Sequence, residues 1–282
     1  MKTLVYTSIY SNLWGTEFGG RASRHYHYRL SLKNILNINA DKFICFVPIE
    51  ELEDLKAHFY TNWGFSPEKL EFIVFDLHNT MYFEQIRKLK DLEKMKTIDR
   101  CFEVQYNKFF WYDMLENKEQ YDRIYWFDAG LSHGGLFPDN LAYGSGFDRH
   151  FLFTCFNENF LMKLNKLSEN KFILVGKTNT GKFLWSQTIP QKYYKEFKRD
   201  HHIIGGFFGG KPEIFNDFKN KFNTLLVDLL SNEPVLYMEE QILSCLYYEN
   251  SDNVNLLTFD DWYRREDHTD NDIKYFYNLF EL

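Results

Sequence analysis

Short apolar runs alternate with amphipathic stretches along the first half of the chain. Runs of strand length and composition occur at 4–9, 43–47, 70–77 and 125–127. Between them, apolar residues recur at helical spacing over 21–36, 50–60, 81–96 and 102–116. Because parallel strands need long crossover connections, this β-α alternation predicts an α/β domain with a mainly parallel central sheet flanked by helices.

The pattern is looser after residue 130. It predicts helices over 158–167, 212–230 and 239–248 and one further strand over 172–175. The stretch 205–210, which reads GGFFGG, is predicted as a glycine-rich turn that opens the helix at 212. With no Pro/Ser-rich linker and no internal repeat, we expect a single domain over 1–282.

Charge and cysteine content narrow the function classes. The net charge is −7 and the basic residues are dispersed, which argues against a nucleic-acid-binding protein. The four cysteines are far apart, so neither a CxxC site nor a disulfide framework is expected. No signal peptide and no apolar run of transmembrane length is recognised, which predicts a cytoplasmic protein.

Asp128 follows the apolar residues 125–127 and precedes Ala129 and Gly130. An apolar run that ends in this way predicts a buried strand with a carboxylate at its carboxyl end, where open α/β sheets bind ligands. A divalent cation bound to diphosphate commonly takes one or two such carboxylates. The alternative is an aspartate that only caps a turn after the strand.

Two further features favour a ligand site. Glycine lacks a Cβ, so the backbone of 205–210 can approach a ligand closely, although a plain turn would have the same composition. Glu239 falls on the helix face that carries Leu243 and Leu246, and Glu240 lies about 100° round the helix. A carboxylate on an apolar face is costly unless it is paired or used, so a helix-edge ion pair is the alternative to a catalytic role.

These landmarks occur in the order strand-end aspartate, glycine-rich stretch, acidic helix. In this order they resemble the GT-A glycosyltransferases, and specifically the HtrL/YibB-type group of bacterial glycosyltransferases. The GGFFGG stretch is similar to that of retaining blood-group A/B-type enzymes. The resemblance implies a single GT-A-like, Rossmann-like domain, with a nucleotide-binding half at 1–130 and a sugar- and acceptor-binding half at 131–282.

The resemblance also implies an activity. We expect a hexosyltransferase-like enzyme that moves a sugar from a nucleoside-diphosphate sugar, with UDP as the expected nucleotide, to a glycan or glycolipid. The pathway would be bacterial surface polysaccharide or lipooligosaccharide synthesis, and the blood-group likeness favours retention of configuration. A peripheral membrane contact is compatible with such an acceptor.

The resemblance also implies which residues contact the donor. The end of the first strand would hold the base and ribose, and arginines at the start of the next helix would meet phosphate or sugar oxygens. Lys108 would reach the donor from the helix before the Asp128 strand. The residues expected to contact the donor are Thr7, Ser8, Ile9, Tyr10, Arg21, Arg24, Lys108, Phe127, Asp128, Ala129, Gly130, Gly205, Gly206 and Phe207.

Glu239 or Glu240 would act as nucleophile, stabiliser or base. Asp128 and His268 would bind Mn²⁺ or Mg²⁺, but the family's Asp-x-Asp is here Asp128-Ala129-Gly130, so one ligand is missing.

The alternative that stays open is a non-catalytic nucleotide-sugar or glycan-binding protein with the same fold, with which the incomplete Asp-x-Asp is compatible. A phosphate-loop kinase is rejected, although 176–183 matches that motif except at its last position. There Phe183 replaces the hydroxyl that would hold Mg²⁺, and Pro190 would interrupt the long helix that follows such a loop.

Overall fold

A computed structural model of the chain describes residues 1–13, 16–19, 25–92, 101–130, 158–178, 189–193 and 201–259. The strands in this part are β1 Thr3–Ser8, β2 Lys42–Val47, β3 Leu70–Val74, β4 Arg123–Phe127, β5 Phe172–Thr178, β6 His201–Gly210 and β7 Val254–Phe259. The α-helices are α1 His25–Ile35, α2 Ile49–Lys56, α3 Phe83–Leu92, α4 Phe102–Asp113, α5 Glu158–Leu167, α6 Pro212–Asn232 and α7 Glu239–Glu249.

All of these strands form one mixed sheet in the order β3-β2-β1-β4-β6-β5-β7. Strands β1 to β4 are parallel to one another, and β7 is parallel to β5. Strand β6 is antiparallel to both of its neighbours, β4 and β5. The predicted α/β class with a mainly parallel sheet is confirmed, and the sheet joins strands from both predicted halves of the chain.

The direction of the strand order changes between β1 and β4. From β1 the chain first builds outward through β2 and β3, and it then returns to add β4 on the other side of β1. Open α/β sheets bind ligands at such a switch point, beside the carboxyl ends of the strands. These ends are at Ser8 and Phe127, so the residues that follow them border the expected crevice.

Helices cover both faces of the sheet. Helices α3, α4, α6 and α7 cover one face, and residues such as Phe109 and Trp111 belong to its core. Helices α1, α2 and α5 cover the other face, with Leu32 and Phe160 in that core. Phe109 of α4 stacks on Phe208 of β6 with 4.6 Å between ring centroids, which ties α4 to the antiparallel strand.

One expectation from the sequence needs correction, and one strand was not expected. The predicted turn at 205–210 is the end of strand β6, and β7 was not predicted at all. Gly176 and Lys177, the first residues of the rejected phosphate-loop match, lie in β5 and are paired with strands on both sides. A phosphate loop needs backbone N–H groups that turn toward the ligand, whereas these two residues belong to a central strand.

Gly209 shows why this strand is rich in glycine. Its φ is +154°, and a Cβ there would overlap the carbonyl oxygen of Ile124 and lie 2.6 Å from Cδ1 of Tyr125. The close approach of β6 to β4 therefore requires glycine at this position. Gly210 differs, because the atom nearest to its Cβ would be 3.4 Å away.

We expect Gly209→Ala to lower the free energy of unfolding by about 3 kcal/mol, because the side chain would push β6 away from β4. Gly210→Ala, the matched control, should cost less than about 1 kcal/mol. Urea unfolding followed by circular dichroism measures both. Equal unfolding midpoints for the two variants would contradict this account of the contact between β4 and β6.

Candidate functional site

A buried lysine lies at the carboxyl edge of β4. The Nζ atom of Lys108, on α4, donates to Oε1 of Glu239 at 2.7 Å and to the carbonyl oxygen of Gly205 at 3.1 Å. Its third contact is Oδ2 of Asp128 at 3.5 Å. The Lys108 and Glu239 side chains are only 4% and 5% exposed, whereas that of Asp128 is 40% exposed. The structure thus brings together four of the residues predicted from the sequence.

Lys108 remains charged in this setting. Burial by itself would lower the pKa of Lys108, but the negative charges of Glu239 and Asp128 outweigh it, so the pKa is raised above its ordinary value. The charge of the adjacent Glu240 adds to this effect. The Nζ atom also lies 5.4 Å from the ring centroid of Trp126, whose face favours a cation.

Hydrogen bonds from the core fix the two helices that carry this pair. The hydroxyl of Tyr6 on β1 donates to the carbonyl oxygen of Lys108 at 2.7 Å. The hydroxyl of Tyr106 on α4 donates to the carbonyl oxygen of Tyr237 at 2.5 Å, just before α7 begins. The first bond fixes the backbone of Lys108 to β1, and the second fixes α4 to a residue just before the helix of Glu239.

Gly205 leaves the space in which the pair forms. A Cβ at this position would lie 2.5 Å from Oε1 of Glu239 and 2.9 Å from Nζ of Lys108. Any larger residue would push the carboxylate away from the ammonium group. The glycine predicted to contact a sugar thus makes room for the lysine and glutamate side chains.

Asp128 divides its two oxygens between a turn and the lysine. Oδ1 accepts a hydrogen bond from the backbone N–H of Gly130 at 2.8 Å, which is an Asx-type turn. The backbone N–H of Asp128 itself donates to the carbonyl oxygen of Gly206 at 2.7 Å. Asp128 therefore does cap a turn, as the alternative predicted, while Oδ2 faces Lys108.

Residues at the end of β1 lie differently from the prediction. Tyr10 is in the core, stacked on Trp111 with 5.9 Å between ring centroids, and its hydroxyl donates to the carbonyl oxygen of Phe75. The expectation that Tyr10 stacks on a base is corrected, because protein contacts already occupy its ring and its hydroxyl. Burial also raises the pKa of Tyr10 far above its ordinary range. Ser8, the last residue of β1, is buried as well.

Thr7 and Ile9 point to the face covered by α1 and α2, away from Lys108. Ile9 belongs to the core on that side, and Thr7, two residues earlier in the chain, lies on the same face of the strand. Oγ1 of Thr7 is buried and finds no hydrogen-bond partner among the described residues. Any contact of Ile9 with a nucleotide would have to come from its backbone.

The aromatic residues of the predicted site are also core residues. Phe127 stacks on Phe207 with 5.2 Å between ring centroids, and both side chains are buried. Ala129 is buried against the same core. A Cβ on Gly130 would lie 2.6 Å from the ring of Tyr28, so this glycine permits close packing of α1 on the turn.

The predicted metal site, Asp128 with His268, stays a prediction. Arg21, Arg24 and His268 lie outside them, and within them no three His, Cys, Asp or Glu side chains lie close enough together to hold a metal ion. The position between Asp128 and Glu239 is taken by the Lys108 ammonium group. These residues do not fit a divalent cation there, since two cations would compete for the same oxygens.

Sequence reasoning missed the residues that position the site. Tyr6 and Tyr106 were read as parts of apolar segments, and Gln105, whose Oε1 accepts from the backbone N–H of Glu239 at 3.4 Å, was not singled out. A tyrosine in a buried run usually has a partner for its hydroxyl, and this was the available signal.

Lys108→Met should lower the free energy of unfolding by about 3–5 kcal/mol, because it removes the ammonium group to which the buried Glu239 carboxylate is bonded. Adding Glu239→Gln should recover most of this loss, since no charge then remains in the buried pair. Urea unfolding of the parent, both single variants and the double variant measures the coupling. If the effects of the two single substitutions simply add, the pair is not coupled.

Comparisons with known proteins give fold likenesses only. No family model matches the chain, and no curated protein matches it. A solved structure of the galactosyltransferase LgtC with donor and acceptor sugar analogs is 10% identical, with a TM-score of 0.48 over 96% of this chain and 82% of that one. A solved structure of an active-site mutant of LgtC is 11% identical, with a TM-score of 0.47 over the same shares of the two chains. The structure of the 4-diphosphocytidyl-2C-methyl-D-erythritol synthase of Anaerococcus prevotii is 12% identical, with a TM-score of 0.43 over 100% of this chain and 99% of that one. The HtrL/YibB-type resemblance stays a prediction.

Proposed function

We propose that the protein is a glycosyltransferase of the GT-A type that takes its sugar from a nucleoside-diphosphate sugar. The observation that carries the proposal is the Lys108 ammonium group, held by Glu239 and Asp128 at the switch point of the sheet. A cation at the carboxyl edge of the strands can meet the diphosphate of a donor. None of the helices in the described part is both long and apolar enough to cross a membrane.

The two glutamates take different roles in this proposal. Glu239 is buried and bonded to Lys108, so it positions the lysine. Glu240 is only partly buried, and its charge acts on Lys108, so we assign to it the contact with the acceptor hydroxyl or the anomeric carbon. A carboxylate there stabilises positive charge on the sugar or takes the proton of the acceptor.

The finer parts of the proposal rest on the sequence resemblance. They are UDP as the nucleotide, a hexose as the sugar, retention of configuration, and a glycan or glycolipid acceptor of bacterial surface polysaccharide or lipooligosaccharide synthesis in the cytoplasm. The likeness of 205–210 to the blood-group A/B-type enzymes supports retention. The product linkage, determined by NMR, tests this part separately.

We expect the protein to release UDP from at least one UDP-hexose, slowly with water and faster with an acceptor glycan. Glu240→Gln should lower kcat by about 10²-fold with donor affinity unchanged, because the carboxylate acts on the transition state. Glu249→Gln, which removes an exposed carboxylate at the other end of α7, is the matched control. A coupled UDP-release assay and calorimetry measure kcat and donor affinity.

Binding of a UDP-sugar without any release or transfer would instead identify the non-catalytic binding protein. Equal rates for Glu240→Gln and the control would show that Glu240 has no catalytic role.

A further inference from the structure

We infer that Lys108 is the anchor for an anionic oxygen of the ligand, and that Asp128 holds the place of this oxygen in the ligand-free protein. The inference rests on the proposed function, since it takes the ligand to be a diphosphate. It adds a role for Asp128 that differs from metal binding.

The protein already fills the hydrogen-bonding capacity of Lys108. An ammonium group has three N–H donors. Glu239, Gly205 and Asp128 supply three acceptors to Nζ of Lys108, at 2.7, 3.1 and 3.5 Å. A ligand oxygen can therefore bond to Lys108 only if it replaces one of these acceptors.

Asp128 is the acceptor that a ligand can replace. The Glu239 carboxylate is almost fully buried, and the Gly205 carbonyl belongs to strand β6. The Asp128 contact is the longest of the three, and its side chain is the most exposed, at 40%. Solvent and ligand thus reach Lys108 from the side of Asp128, and this contact is the one that is exchanged.

The exchange with Asp128 restricts the chemistry of the ligand. An oxygen that replaces a carboxylate on a charged lysine must itself carry negative charge, or the exchange loses electrostatic energy. A diphosphate oxygen meets this condition, and the hydroxyl of a sugar does not. Asp128 and the ligand then compete for one N–H group and repel each other as like charges.

This competition fixes the sign of a mutational effect. Asp128→Asn keeps the shape and the turn acceptor but removes the competing charge. We expect this variant to bind inorganic pyrophosphate and UDP more tightly than the parent in excess EDTA, by roughly three- to tenfold. A metal ligand at Asp128 predicts the opposite sign, because its loss would weaken binding. Isothermal titration calorimetry with the full chain, with EDTA or with Mn²⁺, measures the affinities.

Loss of the lysine is tested in a background that folds. Lys108→Met combined with Glu239→Gln removes both buried charges together, and Glu239→Gln alone is its reference. Relative to this reference, the added loss of Lys108 should weaken pyrophosphate binding at least about tenfold. Lys90→Met with Glu103→Gln removes a second buried pair, at 2.6 Å between α3 and α4, and is the control for removing an ion pair.

Asp76→Asn is the control for net charge. It removes one exposed carboxylate near the end of β3, where Asp76 contacts His78. Its effect on pyrophosphate affinity should stay within about twofold, because salt screens distant charges.

The outcomes separate this inference from the proposed function. Tighter pyrophosphate binding by Asp128→Asn, with weaker binding on loss of Lys108, supports it. Equal or weaker binding by Asp128→Asn, or no pyrophosphate binding at all, overturns it. If UDP binds the parent only with Mn²⁺ and sugar is transferred, the proposed function stands and this inference fails. If Asp128→Asn binds pyrophosphate more tightly but no nucleotide sugar is used, the inference stands and the proposed function fails.

Discussion

A charged ammonium group inside a protein must be surrounded by acceptors, and Lys108 obtains its acceptors from three separate elements. Glu239 comes from the first turn of α7, Gly205 from β6 and Asp128 from the turn after β4. Of these, Glu239 is the buried counter-charge, and removing it alone leaves the Lys108 charge buried beside only a carbonyl group and the partly exposed Asp128. The relative placement of α4, β4, β6 and α7 therefore depends on this one cation.

The direction of strand β6 brings Gly205 to the site. Because β6 runs antiparallel to β4, the residues just before its paired segment, Gly205 and Gly206, lie beside the carboxyl end of β4, next to Asp128. Helix α7, which packs on β6, then carries Glu239 to the same edge. Glycine at 205 and 209 permits both close approaches, one to the ion pair and the other to β4.

Stacked aromatic rings keep these elements rigid around the pair. Phe109, one residue after Lys108, stacks on Phe208 of β6, and Phe127, one residue before Asp128, stacks on Phe207. Tyr6 and Tyr106 add hydrogen bonds on the face of the sheet that carries Phe109, whereas Phe127 and Phe207 pack on the opposite face. A site with one lysine and several carboxylates needs such support, because positions that are loose by an ångström would allow the charges to separate or to take up water.

The sequence by itself determined the α/β class, most of the helices and the strand-end position of Asp128, because periodicity and apolar runs are local signals. It also pointed to Glu239 as an inward-facing carboxylate, which the structure bears out. Only the tertiary structure decided that its partner is Lys108, which is 131 residues away in the chain. The same holds for 205–210: glycine predicts a turn locally, but here it serves the contacts of a central strand with β4 and the ion pair. Such contacts depend on which elements become neighbours, and this is a property of the sheet order that no local pattern records.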